Sequence, residues 1–238
     1  MKIIGYSERG VMNALFYGIA LKEDKESMMK FLKMAEIEEG YNDFTVYSEL
    51  SLSDFGNPDM VIIADKKGGK KEVIFIEAKV SEGNQFKLLK EYSDHKKYIE
   101  QEVYKSGNSS NLFFQLRQKF YFFQTKGDIN NQKDLNIPHI FKYRDRDLKE
   151  ERSIGKNEVV LKFSDCIKEC DSAHYVAIIP ECKRPDNIKK ELGFDIHFVS
   201  WEEIIKNFSV YLNDTFDFNK KDNYNQILNK KLTWEPKL

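Results

Sequence analysis

Two short apolar runs with a glycine-containing turn between them are the clearest pattern along the chain. Residues 60–64 are Met-Val-Ile-Ile-Ala, residues 73–76 are Val-Ile-Phe-Ile, and Gly68-Gly69 lies in the polar segment between them. Runs rich in β-branched and aromatic residues that flank such a turn predict two antiparallel strands. Because both runs are apolar on both faces, we predict that helices cover the sheet on each side.

Charged residues interrupt this apolar pattern at one end of the predicted hairpin. Asp59 directly precedes the first run, and Glu77-Ala78-Lys79 ends the second. Successive side chains of a strand point to opposite faces, so Glu77 and Lys79 share one face and Ala78 points to the other. An unpaired charge in a buried strand is costly, so these residues need a chemical reason to be there.

Asp59 lies on the face of Glu77 and Lys79 only in some pairing registers. If Asp59 is opposite Glu77, the loop consists of the three residues Lys67, Gly68 and Gly69. A two-residue Gly68-Gly69 turn would pair Asp59 with Ala78 and turn its side chain to the other face. We therefore predict an odd-length loop, or a bulge, in this hairpin.

The segments Pro58-Asp59 and Glu77-Ala78-Lys79 resemble the PD-(D/E)xK nuclease superfamily, which has the restriction-endonuclease-like fold. Acid-x-base triplets are common in a chain that is 32% charged, but only Glu77 to Lys79 combines an apolar strand with a preceding Pro-Asp strand. The resemblance implies a metal-dependent nuclease that cleaves DNA to a 5′-phosphate and a 3′-hydroxyl. It further implies that Asp59, Glu77 and the Ala78 carbonyl hold Mg²⁺ or Mn²⁺, and that Lys79 assists the attacking water.

Such chemistry accounts for these residue types. Carboxylate oxygens suit hard divalent cations, and a bound cation lowers the pKa of water and screens the charge of a phosphodiester. Three alternatives stay open at this stage. Glu77 and Lys79 would form an ordinary strand ion pair, the fold would serve as an inactive nucleic-acid-binding or scaffold module, or the substrate would be RNA.

Other residues are secondary candidates. Glu8 occupies a place comparable to a first-helix glutamate that approaches the metal in several branches of the superfamily, although a carboxylate in a first helical turn is also favourable by itself. Glu49 and Asp54 are further acids near the hairpin. We predict helices at residues 86–105 and 111–125. The second contains candidate nucleic-acid-binding residues, Gln115, Arg117, Gln118, Lys119 and Tyr121. An amphipathic core helix with its polar residues outside explains the same pattern.

The C-terminal half alternates strands and helices. We predict strands at residues 159–163, 175–180 and 195–200, and helices at 186–192 and 201–212. The expected whole is an α/β fold with a mixed sheet, an antiparallel front hairpin and helices on both faces. We predict one domain over residues 1–238, with a polar insertion at about 126–158 and a polar extension at about 213–238. Trp201, at the start of a helix, is expected to pack in the core.

Composition narrows the possible partners. With 38 basic and 39 acidic residues the net charge is −1, so any nucleic-acid contact must come from a local patch and the metal. No apolar run is long enough to span a membrane, and we expect a cytoplasmic protein. Three cysteines do not form a disulfide framework there, and the spacing of Cys166, Cys170, His174 and Cys182 disfavours a zinc site. A homo-oligomer is compatible with the sequence.

Overall fold

The structure is a computed structural model that describes residues 8–37, 40–52, 55–79, 87–101, 110–127 and 158–215. Most of the predicted insertion and the C-terminal segment after residue 215 therefore lie outside the described residues. The elements, in chain order, are α1 (Glu8–Leu21), α2 (Lys25–Met34), β1 (Tyr41–Ser48), β2 (Met60–Lys66), β3 (Lys71–Ala78), α3 (Leu88–Gln101), α4 (Leu112–Thr125), α5 (Glu158–Lys168), β4 (Cys170–Ile179), α6 (Ile188–Leu192), β5 (His197–Ser200) and α7 (Trp201–Thr215).

The five strands form one mixed sheet in sequential order, β1-β2-β3-β4-β5. The pairs β1-β2 and β2-β3 are antiparallel, whereas β3-β4 and β4-β5 are parallel. Parallel neighbours need a crossover connection, and here helices lie between β3 and β4 and between β4 and β5. The predicted mixed sheet with an antiparallel front hairpin is confirmed.

Each face of the sheet has its own hydrophobic core. Alternate strand residues such as Ile62 and Ile74 pack with side chains from α1, α2 and α7. The intervening residues, including Val61 and Phe75, pack with side chains from α3, α4 and α5. The prediction that helices cover both faces is therefore confirmed. None of the helices within the described ranges is long and apolar enough to cross a membrane.

Helix α5 corrects one prediction. Residues 159–163 were expected to form a strand, but they belong to a helix whose buried residues Val160, Phe163 and Ile167 recur every three or four positions. The exposed Val159 and Leu161 made the segment a nearly continuous apolar run, which is the pattern that predicted a strand. The structure also contains α2, which was not predicted. Its N-cap is Asp24, whose carboxylate accepts a hydrogen bond from the Ser27 amide at 2.9 Å.

A buried carboxylate links four strands at one end of the sheet. Glu72, on β3, accepts hydrogen bonds from Tyr41 Oη, from Lys66 Nζ at 2.8 Å and from Ser172 Oγ at 2.9 Å, and it lies 3.1 Å from His174 Nε2. Burial alone would raise the pKa of Glu72, but these contacts outweigh it and lower the pKa to about 2. Glu72 is thus an ionised, paired group on the sheet face opposite Phe75.

Candidate active site

The β2-β3 hairpin brings Asp59 to the end of β3 and has a short loop. Met60 pairs with Ile76 and Asp65 with Lys71, and the Lys66 amide donates to the Lys70 carbonyl at 2.7 Å. The loop therefore consists of residues 67–69, as predicted. The ladder ends at Met60 opposite Ile76, and Asp59 lies directly outside β2. The odd-length loop predicted from the sequence is confirmed.

The side chain of Asp59 is fixed against the end of β3. Its Oδ2 accepts a hydrogen bond from the Ala78 amide at 2.8 Å, and its own amide donates to the Ile76 carbonyl at 3.2 Å. The next amide, that of Lys79, donates to the Ile178 carbonyl on the other side of β3 at 2.8 Å. Because β-strand amides alternate between neighbours, the Ala78 amide faces the β2 side, where the Asp59 carboxylate receives it.

Helix α4 covers the sheet face that carries Glu77 and Lys79. Lys79 Nζ donates a hydrogen bond to Gln115 Oε1 at 2.6 Å, and Glu77 Oε1 lies 2.6 Å from Lys119 Nζ. Gln115 and Lys119 are four residues apart and so lie on one side of the helix. Ala78 belongs to the core on the opposite face. The common face predicted for Glu77 and Lys79 is therefore what the structure has.

Glu77 and Lys119 form a fully buried ion pair. Both side chains are 0% exposed. Apart from this 2.6 Å contact, neither Glu77 oxygen nor the Lys119 nitrogen has a hydrogen-bond partner in the described part of the chain. Removing one member of such a pair strands the other charge in the core, which costs about 3–5 kcal/mol.

The loop before β2 closes over this ion pair at Gly56. A methyl group at Gly56 would lie 2.7 Å from Gln118 Oε1 and 3.0 Å from Lys119 Nζ, and the residue has φ +79°. Both the missing side chain and the left-handed conformation favour glycine at this position. The backbone that leads into Asp59 is thus packed directly against the end of the Lys119 side chain.

The donor set at this end of the hairpin suits a hard divalent cation in type. Asp59 and Glu77 supply carboxylate oxygens near the end of β3, and among the described residues the buried Glu77 oxygens have no donor besides Lys119. In the conformation described, the cation in contact with Glu77 is the Lys119 ammonium. Across the described residues, no group of three or more His, Cys, Asp or Glu side chains could hold a metal ion.

Two residues outside the predicted set of site residues help to build the site. Glu91, on α3, accepts a hydrogen bond from the Leu112 amide at the start of α4 at 2.7 Å. Burial raises the pKa of Glu91, against the Leu112 hydrogen bond and the nearby charge of Lys79. Trp201, which is 0% exposed, donates from Nε1 to the Lys79 carbonyl at 2.8 Å. The packing role expected for Trp201 is confirmed.

The five candidate nucleic-acid-binding residues of α4 do not form a solvent-facing strip. Gln118, Lys119 and Tyr121 are buried, whereas Gln115 and Arg117 are half-buried. Arg117 Nε donates to Tyr121 Oη at 2.9 Å, and the guanidinium lies over the ring of that tyrosine. In this conformation only Gln115 and Arg117 of the five reach solvent. Their contact with nucleic acid stays a prediction.

The acids predicted outside the hairpin are not brought into this site by any described contact. Glu8 begins α1, but its side chain lies outside the described residues, as does Asp54. Glu49 follows β1 and is exposed, and its Oε1 accepts a hydrogen bond from the side-chain Nδ2 of Asn13 at 3.5 Å. A role for Glu8 at the metal therefore stays a prediction.

Comparisons of the chain with models of protein families, with curated proteins and with solved structures found no match.

Proposed function

We propose that the protein is a metal-dependent nuclease of restriction-endonuclease-like fold that hydrolyses phosphodiester bonds in DNA. The observation that carries the proposal is the hydrogen bond from the Ala78 amide, between Glu77 and Lys79, to the Asp59 carboxylate at the end of the three-residue-loop hairpin. Two carboxylates and an ammonium at the end of adjacent strands are the groups that metal-assisted phosphodiester cleavage requires. The order of the elements, with a hairpin followed by parallel strands, agrees with that fold.

Each residue has a defined task in this proposal. Asp59, Glu77 and the Ala78 carbonyl would hold Mg²⁺ or Mn²⁺, which would lower the pKa of a bound water and screen the phosphate charge. Lys79 orients the attacking water and offsets the charge that develops on the phosphate. An ammonium has three donors, so its hydrogen bond to Gln115 is compatible with donation to a water or a phosphate oxygen.

Two backbone anchors keep Lys79 in place for this task. Its amide donates to Ile178 on β4, and its carbonyl accepts from the Trp201 indole. The Lys79 backbone is therefore held from a neighbouring strand and from helix α7. Side chains that act on a reacting atom work best when their support is rigid, because small displacements reduce the rate strongly. These contacts support a chemical role for Lys79.

The substrate class follows from the same resemblance and from the charge balance. A net charge of −1 favours a substrate bound through local contacts, such as Arg117, over general attraction to polyanions. We propose DNA as the substrate and the cytoplasm as the location. RNA is the alternative that a labelled panel of duplex DNA, single-stranded DNA and RNA distinguishes by comparing cleavage rates.

The test is nicking of supercoiled plasmid with Mg²⁺ or Mn²⁺ by the wild type and by Lys79→Ala. We expect the variant to lose about a hundredfold or more in rate, in line with removal of a charge-stabilising donor. Lys67→Ala, an exposed lysine in the loop of the same hairpin, is the matched control and should retain activity. Absence of metal-dependent cleavage by the wild type over the whole substrate panel would refute the proposal.

One observation favours a second candidate function. The Glu77 carboxylate is sealed from solvent and neutralised by Lys119, as expected of a nuclease fold that binds nucleic acid or acts as a scaffold without turnover. Binding of fluorescent oligonucleotides, measured by anisotropy with and without Mg²⁺, separates the two. Metal-independent binding together with no cleavage would support the scaffold.

A further inference from the structure

The charge partner of Glu77 belongs to the protein itself. Lys119 Nζ lies 2.6 Å from Glu77 Oε1, and both side chains are completely buried. We propose that Lys119 is an intramolecular competitor for the divalent cation, so that a metal ion binds Glu77 only when the Lys119 ammonium leaves. This inference rests on the proposed function, because it takes Glu77 as a metal ligand.

Distance and charge make simultaneous binding unfavourable. A Mg²⁺ ion sits about 2.1 Å from a ligand oxygen, so an ion on the Glu77 carboxylate would lie within a few ångströms of the ammonium. Two cations at that separation repel, and a site with no exposed surface has little water to screen them. Among the described residues the Glu77 oxygens have no donor besides Lys119, so Lys119 is the contact that neutralises them.

The position of Lys119 is built into the fold and does not depend on a surface rotamer. Its ammonium is enclosed between Glu77 and the backbone at Gly56, where an added methyl group would lie 3.0 Å from Nζ. One turn earlier on α4, Gln115 holds Lys79. The same side of α4 therefore contacts both charged residues of the Glu77-Ala78-Lys79 segment. Release of Lys119 opens Glu77 to the metal, and any shift of this helix side also affects Lys79.

Metal affinity tests the competition without relying on cleavage. We would measure Mn²⁺ binding by electron paramagnetic resonance for the wild type, Lys119→Met and the double variant Glu77→Gln/Lys119→Met. Removing the competing charge should tighten Mn²⁺ binding about tenfold or more in Lys119→Met. The double variant should lose that gain. Lys66→Met, which removes a mostly buried lysine paired with Glu72 on the other face, is the matched control and should leave Mn²⁺ affinity unchanged.

Lysine labelling tests the same inference in the unmodified protein. Lys119 is 0% exposed, so an amine-reactive reagent should label it slowly in metal-free protein, as followed by mass spectrometry. Saturating Mn²⁺ should increase that labelling at least about tenfold if binding displaces the ammonium into solvent, because local opening controls access to buried groups. This experiment does not depend on whether Lys119→Met folds, and Lys119→Gln serves as a second variant if it does not.

The outcomes separate this inference from the proposed function. Unchanged or weaker Mn²⁺ binding in Lys119→Met, or Lys119 that stays protected with Mn²⁺ bound, would overturn the competition even if the wild type cleaves DNA. Tighter Mn²⁺ binding in Lys119→Met without cleavage of any substrate by the wild type would support the competition and refute the nuclease. Failure of every form to bind Mn²⁺ would overturn both.

Discussion

The buried histidine on α3 makes a strong prediction about acid stability. His95 is 0% exposed, and neither ring nitrogen has a hydrogen-bond partner in the described part of the chain. Its ring packs near those of Phe113 and Phe114, with centroids 6.2 Å and 6.5 Å away. Burial, with a smaller contribution from the charge of Arg117, lowers the pKa of His95 from 6.5 to about 3. Native His95 is therefore neutral at pH 7.

The effect on stability follows from proton binding. As the pH falls below 6.5, the unfolded chain protonates this histidine and the native protein does not, until the pH nears 3. The unfolded state then binds more protons, so the free energy of unfolding decreases with falling pH. Between about pH 7 and pH 4.5 the change spans about two pKa units, or about 3 kcal/mol at about 1.4 kcal/mol per unit.

The assay is urea unfolding at pH 7 and pH 4.5, followed by tryptophan fluorescence, for the wild type, His95→Leu and His95→Phe. Both variants should lose less stability on acidification than the wild type, by about 3 kcal/mol. The two replacements differ in volume, so their absolute stabilities will differ while the pH effect should not. If all three proteins lose stability in parallel between these pH values, His95 does not stay neutral in the native state and the reasoning is refuted.

Three further substitutions test the packing and charge of the fold. Glu72→Gln should cost about 3 kcal/mol at pH 7, because the lowered carboxyl pKa stabilises the native state above pH 4.5 and this contribution is lost as the pH falls towards about 2. The unfolding free energies of Glu72→Gln and of the wild type should therefore converge as the pH approaches about 2. As a control, Glu169→Gln, which removes an exposed ion pair, should change stability by less than about 1 kcal/mol. Trp201→Phe removes the donor to the Lys79 carbonyl and should cost about 1–3 kcal/mol in urea unfolding; no change would mean that the carbonyl finds another donor. Phe75→Ala should lower the free energy of unfolding by about 3–5 kcal/mol, and a smaller loss would indicate that the core collapses into the space.

The hairpin was predictable because its residues determine parity by themselves. Two charged positions separated by one residue share a strand face in any sheet, and requiring Asp59 on that face left an odd loop length or a bulge. The apolar pattern on both faces of β2 and β3 likewise predicted two covering layers of helices. These features depend on strand alternation and on burial, and the order of polar and apolar residues in the sequence indicates both.

The side chains that surround Glu77-Ala78-Lys79 were not predictable in the same way. Sequence patterning placed the polar residues of α4 outside, yet Gln118 and Lys119 are buried. The reason is tertiary: Lys119 balances Glu77, a charge on a strand more than forty positions earlier. A single helix shows no sign of such a partner. The strand predicted at residues 159–163 failed for a related reason, since β-branched propensity gave way to the helical spacing of its buried side chains.

Through its aromatic residues, helix α4 also connects the proposed site to the hydrophobic core on the sheet face that carries Val61 and Phe75. Phe122 of this helix stacks on Phe163 of α5, with ring centroids 5.8 Å apart, and meets Phe55 in the segment before β2 at 5.1 Å.

The three-residue loop of the hairpin constrains how this protein can change over evolution. Exposed glycine-rich turns ordinarily accept insertions and deletions with little effect. Here a gain or loss of one residue between β2 and β3 would exchange the two sides of a strand, moving an acid away from its companions while the turn itself remained well formed. Length drift at residues 67–69 should therefore occur in steps of two, or be absorbed by a bulge, in any descendant that keeps the same chemistry.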